Sequence, residues 1–167
     1  PSDLAKKLLP IIAGRQITLI IEPGRSIVGS AGILVTKTLY LKKGIGKDFI
    51  IVDAGMNDLM RPSLYDAYHN ILPVIKKRRL KIIADIVGPI CESADFMARE
   101  RPIQKMKKGE YLSVMTAGAY GMSMSSNYNS RPAIAEVMVK GKTHTLIRKR
   151  GTHYDLVRDE RIPGYLK

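Results

Sequence analysis

The feature that most constrains the fold is a single helix–strand unit at the start of the chain. Residues 2–13, SDLAKKLLPIIA, predict a helix with Ser2 as its N-cap and Gly14 just beyond its end. Residues 16–22, QITLIIE, form the apolar run typical of a strand buried on both faces. One such unit cannot close a sheet, because its strand would expose two faces and two edges. Together with a first residue that is Pro1 and not Met, this predicts the end of an α/β domain whose other units lie outside the chain.

After this unit the chain changes to short β-branched and alternating segments, the pattern of strands. The pattern predicts strands over residues 33–43, 47–55, 80–90 and 110–120, a hairpin over 133–150 turning at Lys140 and Gly141, a loop or short helix over 61–71, and a helix over 152–160 capped by Thr152. We expect the pairing to be mostly antiparallel. The predicted fold class is mainly β, with residues 1–32 ending one domain and residues 33–167 forming a second.

The numbers and positions of cysteines and histidines indicate whether the protein has disulfides or a metal site. Cys91 is the only cysteine among 167 residues, so no disulfide forms within the chain and a reducing, cytoplasmic location is expected. One cysteine and three scattered histidines lack the spacing of metal ligands, which predicts no metal site. No apolar run approaches the roughly 18 residues that a membrane span needs, so no membrane partner is expected.

The formal net charge of +13 raises the question of a nucleic-acid partner. The basic residues cluster at 75–81, 104–109 and 146–151, between apolar runs, as at solvated strand ends and turns. Aromatic residues make up only 6% and tryptophan is absent, so platforms for base stacking are scarce. We therefore predict no nucleic-acid partner and a basic surface that attracts anionic ligands.

Residues 22–25, EPGR, follow the predicted buried strand. Loops at the C-terminal ends of barrel strands build active sites and often phosphate sites. Gly24 would let a phosphate approach the backbone, and Arg25 offers a planar fork to an oxyanion. Glu22 could face a cationic ring nitrogen. Since Pro and Gly are also the usual residues of turns, the four letters alone favour an ordinary turn.

A second candidate lies within residues 53–69, DAGMNDLMRPSLYDAYH. Arg61 and Tyr65 are four residues apart, so on a helix they share a face and could grip a carboxylate together. The alternative is a loop with an exposed arginine and a half-buried tyrosine. His69 is interpreted as structural.

Two loops complete the set of candidates. Residues 88–98, GPICESADFMA, place the Cys91 thiol, which can give a proton, beside the Glu92 carboxylate, which can hold an ammonium. The alternative is a cysteine that only fills space in the core. Residues 116–132 are rich in Gly, Ser and Asn, and the Tyr120 hydroxyl in that loop could reach a phosphate.

Read together, four segments resemble the meso-diaminopimelate decarboxylase family. They are IIEPGRSIVGSAG, VDAGMNDLMRPSLYDAYH, VGPICESADFMA and GEYLSVMTAGAYGMSMSSNYNSRP, and the resemblance covers about residues 1–160. It implies a fold-type III pyridoxal phosphate (PLP) enzyme with an N-terminal (β/α)8 barrel and a C-terminal β domain, acting as a homodimer. On this basis residues 1–32 would be the end of the barrel, and residues 33–167 a Greek-key-like domain carrying active-site loops and the dimer interface.

The resemblance implies roles in cofactor binding for four residues. Glu22 matches the acid that pairs with the pyridinium nitrogen of PLP, and Gly24 matches a residue of the phosphate loop. Arg25 matches an arginine at the phosphate and substrate-carboxylate end. Tyr120 matches a tyrosine that contacts PLP near its phosphate.

The resemblance also implies how the substrate is held and protonated. Arg61 and Tyr65 match substrate-binding residues, and Glu92 matches the residue that holds the substrate's distal amino group. Cys91 matches a cysteine that enters the partner subunit's active site and returns a proton to Cα after CO2 leaves.

The implied activity is the carboxy-lyase reaction that converts meso-diaminopimelate to L-lysine and CO2, the last step of lysine biosynthesis. The family's Schiff-base lysine lies in an early barrel motif that this chain does not contain, so the chain alone is expected to be inactive. The alternatives are a decarboxylase of a related amino acid (carboxynorspermidine, ornithine or arginine) and a non-catalytic β-domain binding module.

Overall fold

A computed structural model describes residues 2–166; Pro1 and Lys167, the outer limits of the two predicted domains, lie outside the described residues. The regular elements are α1 (Ser2–Ile12), β1 (Leu34–Lys43), β2 (Asp48–Val52), α2 (Arg61–Tyr65), β3 (Ile71–Pro73), β4 (Lys81–Val87), β5 (Phe96–Gln104), β6 (Tyr111–Val114), β7 (Glu136–Lys140), β8 (Thr143–Arg148) and α3 (His153–Val157). Short 3-10 turns lie at Gly29–Ala31, Met122–Met124, Tyr128–Ser130 and Gly164–Leu166.

Six strands form one sheet in the order β3-β6-β1-β2-β4-β5. All neighbouring pairs are antiparallel except β2 and β4, which run parallel. β6 returns through a long connection to lie beside β1, as a Greek-key arrangement requires. The predicted fold class, mainly β, is confirmed.

The core lies on one face of this sheet because the strands alternate buried and exposed residues. On β1, Leu34, Thr36 and Thr38 are buried and the residues between them are exposed. The side chains that are completely enclosed in the core cluster include Ile50, Val52, Leu59, Ile86, Leu112 and Val114. This core supports the ends of the strands, from which the candidate loops emerge.

Two strands were not predicted. β5 contains the sequence RERP at its centre, and these charged residues and the proline mask its strand pattern. Such residues are tolerated because β5 is at the edge of the sheet, where one side of the ladder faces solvent. β3 has only three residues, Ile71–Pro73, which is too short for a recognisable period.

The helix–strand unit at the start of the chain forms only in part. α1 is present as predicted and contains Pro10 in its last turn. Residues 16–22 have no regular secondary structure and pair with no strand among the described residues, so the predicted strand is not formed in this chain. A strand needs neighbours to satisfy its N–H and C=O groups, and the chain supplies none here.

The C-terminal elements agree more closely with the predictions made from the sequence. The β7–β8 hairpin turns at Gly141, whose φ of +59° suits the two-residue turn. α3 is shorter than predicted, but Thr152 caps it through a capping box with Asp155. The strand predicted over 110–120 stops at Val114, shortly before Thr116, whose φ is +62°.

Candidate active site

Arg61 begins α2, and its guanidinium lies over two tyrosine rings. Its Cζ atom is 5.4 Å from the ring centroid of Tyr65 and 5.7 Å from that of Tyr120. The helical spacing predicted for Arg61 and Tyr65 is confirmed, since α2 spans these residues. Tyr120 comes from the loop after β6, so only the tertiary fold brings it to this pair. Both distances are within the range of cation–π interactions.

Arg25 reaches the same region because its loop is docked on the loop that carries Tyr120. Gly118 N–H donates to the carbonyl of Gly29 at 3.0 Å, and Ala117 N–H donates to that of Gly32 at 2.8 Å. The contact needs glycine: a Cβ on Gly32 would lie 2.5 Å from the Cα of Gly118. The two loops therefore form one unit that holds Arg25 and Tyr120.

Gly24 and Glu22 lie at the open end of this unit. Gly24 has a φ of +56°, and a Cβ placed on it would meet nothing within 4 Å. Glu22 is exposed, and within residues 2–166 no hydrogen bond or ion pair joins it to Arg25 or Arg61. The structure therefore brings Arg25, Arg61, Tyr65 and Tyr120 together but leaves Glu22 apart from them.

His69 is buried next to this cation cluster and is 1% exposed. Its Nδ1 lies 2.8 Å from the carbonyl oxygen of Met115, at the start of the loop that carries Tyr120. Burial lowers the pKa of His69, and the nearby charges of Arg25, Arg61 and Arg101 lower it further. The ring is therefore neutral at physiological pH.

Cys91 and Glu92 lie in an exposed loop between β4 and β5. Asp95, which is 4% exposed, braces this loop: its carboxylate accepts the N–H of Met56 at 2.6 Å and that of Ile90 at 2.7 Å. Burial raises the pKa of Asp95 above its ordinary value, against the lowering effect of these hydrogen bonds. The sequence interpretation of Cys91 as a possible core residue does not apply to this chain, since the thiol is exposed.

The Cys91 loop packs against the helix that carries Arg61. The Ser63 hydroxyl on α2 donates to the carbonyl oxygen of Ala94. The loop that carries Cys91 and Glu92 is therefore in direct contact with the helix that carries Arg61.

Tyr128 was not singled out from the sequence, yet it contacts a candidate residue. Its hydroxyl donates to Oε2 of Glu92 at 3.3 Å. The signal available was weak, since Tyr128 is one of two tyrosines in a Gly/Ser/Asn-rich loop.

A buried polar network that sequence reasoning also missed holds the Tyr128 loop. Arg131 donates from Nε to Oδ1 of Asn57 at 2.9 Å and from Nη2 to the carbonyl of Asp53 at 2.6 Å, and it pairs with Asp58 at 3.6 Å. Burial raises the pKa of Asp58 above its ordinary value. Arg131 is the only charged residue in residues 116–132, and this isolated charge was the signal that could have revealed it.

A groove of about 1220 Å³ separates residues 28–34, the 117–125 loop and the β7–β8 hairpin. Tyr120 lines it, whereas Arg61, Cys91 and Glu92 do not. The cation cluster and the Cys91 loop, and not this groove, therefore define the candidate site.

Within residues 2–166, no group of three or more His, Cys, Asp or Glu side chains is arranged to hold a metal ion. None of the helices described is both long enough and apolar enough to span a membrane.

The chain matches a family model described as "Pyridoxal-dependent decarboxylase, C-terminal sheet domain" over residues 19–118. It is 55% identical over 157 residues to a protein of Aquifex aeolicus named diaminopimelate decarboxylase, covering 94% of this chain and 37% of that relative. A second relative of that name, from Neisseria meningitidis, is 51% identical over 89% of this chain and 36% of its own length. The chain thus spans little more than a third of the relatives that it matches.

Solved structures are similar over the same region. The crystal structure of diaminopimelate decarboxylase from M. jannaschii gives a TM-score of 0.89 at 37% identity, over 99% of this chain and 38% of that one. The enzyme from Helicobacter pylori, crystallised with L-lysine, gives 0.84 at 43% identity, over 93% of this chain and 38% of that one. The similarity therefore extends over nearly all of the described fold.

Proposed function

We propose, since this chain belongs to the pyridoxal-dependent decarboxylases through their C-terminal sheet domain, that the full-length protein converts meso-diaminopimelate to L-lysine and CO2. The observation that carries the proposal is the contact of the Arg61 guanidinium with the rings of Tyr65 and Tyr120, on a helix that contacts the loop of Cys91 and Glu92. The relatives above, which bear the name of that enzyme, support the same activity.

The residues present fit the phosphate end of the cofactor that the family implies, PLP. The backbone of Gly24 is open, because a Cβ placed there would meet nothing within 4 Å. Arg25 offers a guanidinium, and Tyr120 offers a hydroxyl. Arg61 adds positive charge beside them, and its Nε is buried and has no hydrogen-bond partner within residues 2–166. Glu22 is the candidate partner of the ring nitrogen. When bound, the cofactor supplies the electron sink for the pair of electrons left as CO2 departs.

The chain's own residues would bind and protonate the substrate. Arg61 and Tyr65 hold a substrate carboxylate, and Arg25 adds charge where phosphate and carboxylate meet. Glu92, steadied by Tyr128, holds the substrate's distal ammonium. The Cys91 thiol gives its proton to Cα after CO2 has left.

The charges of this site favour diaminopimelate over ornithine or arginine. Diaminopimelate carries both an ammonium and a carboxylate at its distal end, so its binding site needs one negatively charged and one positively charged side chain. Arg61 with Glu92 supplies both. A substrate lacking the distal carboxylate would leave the half-buried guanidinium of Arg61 unpaired, which costs at most on the order of 1–3 kcal/mol.

The organisation of the full-length protein is part of the proposal. Residues 1–32 form the end of a PLP-binding barrel, and residues 33–167 form the β domain with the dimer interface. Two subunits share each active site, which gives the exposed Cys91 loop a site to enter. The chain alone is inactive because it has no Schiff-base lysine in the family's context, and the single cysteine fits a cytoplasmic location.

The test is CO2 release by the full-length protein with PLP, supplied in parallel with meso-diaminopimelate, L-ornithine and L-arginine. Release from diaminopimelate alone is expected, and Arg61→Lys is expected to raise its KM. Release from another amino acid would keep the cofactor chemistry and overturn the substrate assignment. No release from any of them, with salt-sensitive binding to random DNA, would favour a non-catalytic module.

A further inference from the structure

Glu92 is exposed, yet both oxygens of its carboxylate accept a hydrogen bond. Oε1 accepts the N–H of Ala94, in the same loop, at 3.3 Å, and Oε2 accepts the hydroxyl of Tyr128 at 3.3 Å. A free glutamate side chain on a surface samples many rotamers, and contacts of this kind select one of them. Because the two donors come from different loops, the direction of the carboxylate depends on how these loops are held together.

The donor from the second loop is neutral. A tyrosine hydroxyl donates to a carboxylate without cancelling its charge, whereas a lysine or arginine at the same place would pair with it. Within residues 2–166, none of the ion pairs includes Glu92. The contact with Tyr128 therefore orients the Glu92 carboxylate and leaves its negative charge available to a cation.

The loop of Tyr128 contains a strained turn directly after the ring. Asn129 and Ser130 have φ angles of +60° and +55°, in the left-handed region that residues other than glycine rarely occupy. Such conformations persist where surrounding contacts hold them, and they cluster at functional sites. The side-chain amide of Asn127 closes the turn by donating to the carbonyl oxygen of Arg131 at 2.9 Å. The turn thus has contacts at both ends.

Arg131 attaches this turn to residues 53–58, the segment that follows β2. Its guanidinium donates to Oδ1 of Asn57 at 2.9 Å and to the carbonyl of Asp53 at 2.6 Å, and it pairs with Asp58 at 3.6 Å. Asn57 and Asp58 are 1% and 4% exposed, so the anchor is part of the protein interior. The position of the turn is therefore set by the core of the β domain.

The loop of Glu92 is anchored to the same segment. The N–H of Met56 donates to Asp95 at 2.6 Å, and the other oxygen of that carboxylate accepts the N–H of Ile90 at 2.7 Å. One short segment thus holds both loops, and Tyr128 meets Glu92 because of this shared anchor.

We propose that Tyr128 and Arg131 are positioning residues for Glu92. Arg131 fixes the turn that carries Tyr128, and the Tyr128 hydroxyl directs the Glu92 carboxylate at the ammonium on the distal end of the substrate. Neither residue touches the substrate, since both act through Glu92. This inference deepens the proposed function and rests on it for the identity of the cation.

Two substitutions in the full-length protein with PLP test this arrangement. Tyr128→Phe keeps the ring and removes only the hydroxyl. Arg131→Lys keeps a positive charge beside the buried Asp58 and loses the planar fork that holds the turn. Tyr154→Phe and Arg158→Lys are the matched controls, because both residues are exposed at α3, outside the candidate site.

Two ligands show whether the effect passes through the distal ammonium. L-lysine, the proposed product, retains the distal ammonium and carboxylate of the substrate, and ε-aminocaproate is the same molecule without that ammonium. In calorimetric titrations, we expect Tyr128→Phe and Arg131→Lys each to raise the Kd of L-lysine about threefold to tenfold. The Kd of ε-aminocaproate should change less than about twofold. An equal effect on both ligands would overturn the inference.

Kinetics provide a second measurement of the same coupling. In the CO2 assay, Tyr128→Phe should raise KM about threefold to tenfold while kcat stays within about twofold. In a Glu92→Ala background, which has no carboxylate to direct, Tyr128→Phe should change KM by less than about twofold. A full effect in that background would overturn the inference.

Carbon-13 NMR of the full-length protein, labelled at the glutamate carboxyl carbons, needs no ligand. The Glu92 signal, assigned by its loss in Glu92→Ala, should move in Tyr128→Phe and stay in place in Tyr154→Phe. Phenylalanine retains the aromatic ring, so the comparison isolates the hydroxyl. An unmoved signal in Tyr128→Phe overturns the inference whether or not the protein decarboxylates an amino acid. Failure of the CO2 assay alone would instead overturn the proposed function.

Discussion

At the scale of single residues, the loop of Cys91 carries the residue that we propose as the proton donor. The thiol is exposed, whereas Asp95 four residues later is buried and holds the loop by its backbone. A mobile thiol would sample many positions, and only a fixed one can deliver a proton to a single carbon atom. The loop therefore combines the proposed proton donor with a buried carboxylate that braces its backbone.

If Cys91 is the proton donor, its replacement should lower kcat and leave substrate binding nearly unchanged. We expect Cys91→Ser to reduce kcat by roughly 10²–10⁴-fold, the range of general acid catalysis, since a hydroxyl gives up its proton far less readily. The measurement is steady-state CO2 release by the full-length enzyme, with Ser93→Ala in the same loop as control. A Cys91→Ser enzyme with wild-type kcat would exclude the role.

The buried carboxyl of Asp95 predicts a dependence of stability on pH. Its pKa is raised in the folded protein above the ordinary value of 3.8, so at a given pH the folded state binds more protons than the unfolded state. Stability from this group is fully present below that ordinary pKa and is lost as pH rises through the folded pKa.

Asp95→Asn removes this titration. We expect the local unfolding free energy of residues 88–96, measured by hydrogen exchange, to fall less from pH 4 to pH 6 in the variant than in wild type. The control is Asp159→Asn, which changes an exposed carboxylate. Equal pH profiles for wild type and Asp95→Asn would contradict the assignment.

At the scale of elements, the site depends on two glycine-rich loops lying in direct contact. Gly118 faces the backbone of Val28 and Gly29 so closely that a Cβ has no space, and this contact holds Arg25 near Tyr120. The positions of the candidate residues Arg25 and Tyr120 therefore depend on close backbone contacts between glycines.

Gly118→Ala should therefore separate the loops. We expect a loss of about 1–3 kcal/mol in the local stability of the 28–32 and 116–120 amides, measured by hydrogen exchange of the full-length protein. Gly164→Ala is the matched control, because a Cβ at Gly164 meets nothing within 4 Å. Equal protection in both variants would show that the loops do not need this contact.

At the scale of the whole molecule, the first part of the chain presents an apolar surface. Ile17, Leu19, Ile20 and Ile21 are about half exposed or more, with Ile20 at 85%. Their sequence is that of a strand buried on both faces, yet in this chain they pair with nothing described. This contrast supports the proposed placement of residues 1–32 at the end of a barrel.

The placement predicts that residues 16–22 are ordered only by the rest of the protein. We expect their amides to exchange slowly in the full-length protein and rapidly in the 167-residue chain alone. The amides of β2 and β4 serve as internal controls, since both strands are paired within the chain. Fast exchange of residues 16–22 in both proteins would rule out a barrel strand.

The sequence by itself determined the elements with strong local signals. It located β1, the β7–β8 hairpin and its Gly141 turn, the start of α1 and the Thr152 cap, because hydrophobic period, turn residues and caps act within a few residues. For Arg61 and Tyr65 it offered a shared helical face or a loop, of which the structure shows the helix, and the four motifs led to the family that the comparisons confirm.

Only the tertiary structure decided which distant residues meet. Three contacts join residues that are 36 to 74 positions apart: Arg61 with Tyr120, Glu92 with Tyr128, and Arg131 with Asn57. No local pattern in the sequence predicts them. It also decided that residues 16–22 stay unpaired and that the charged β5 is an edge strand, since pairing depends on which neighbours the fold provides. Interactions within a few residues therefore determine the helices, strands and turns, whereas packing between distant residues determines which side chains meet in the candidate site.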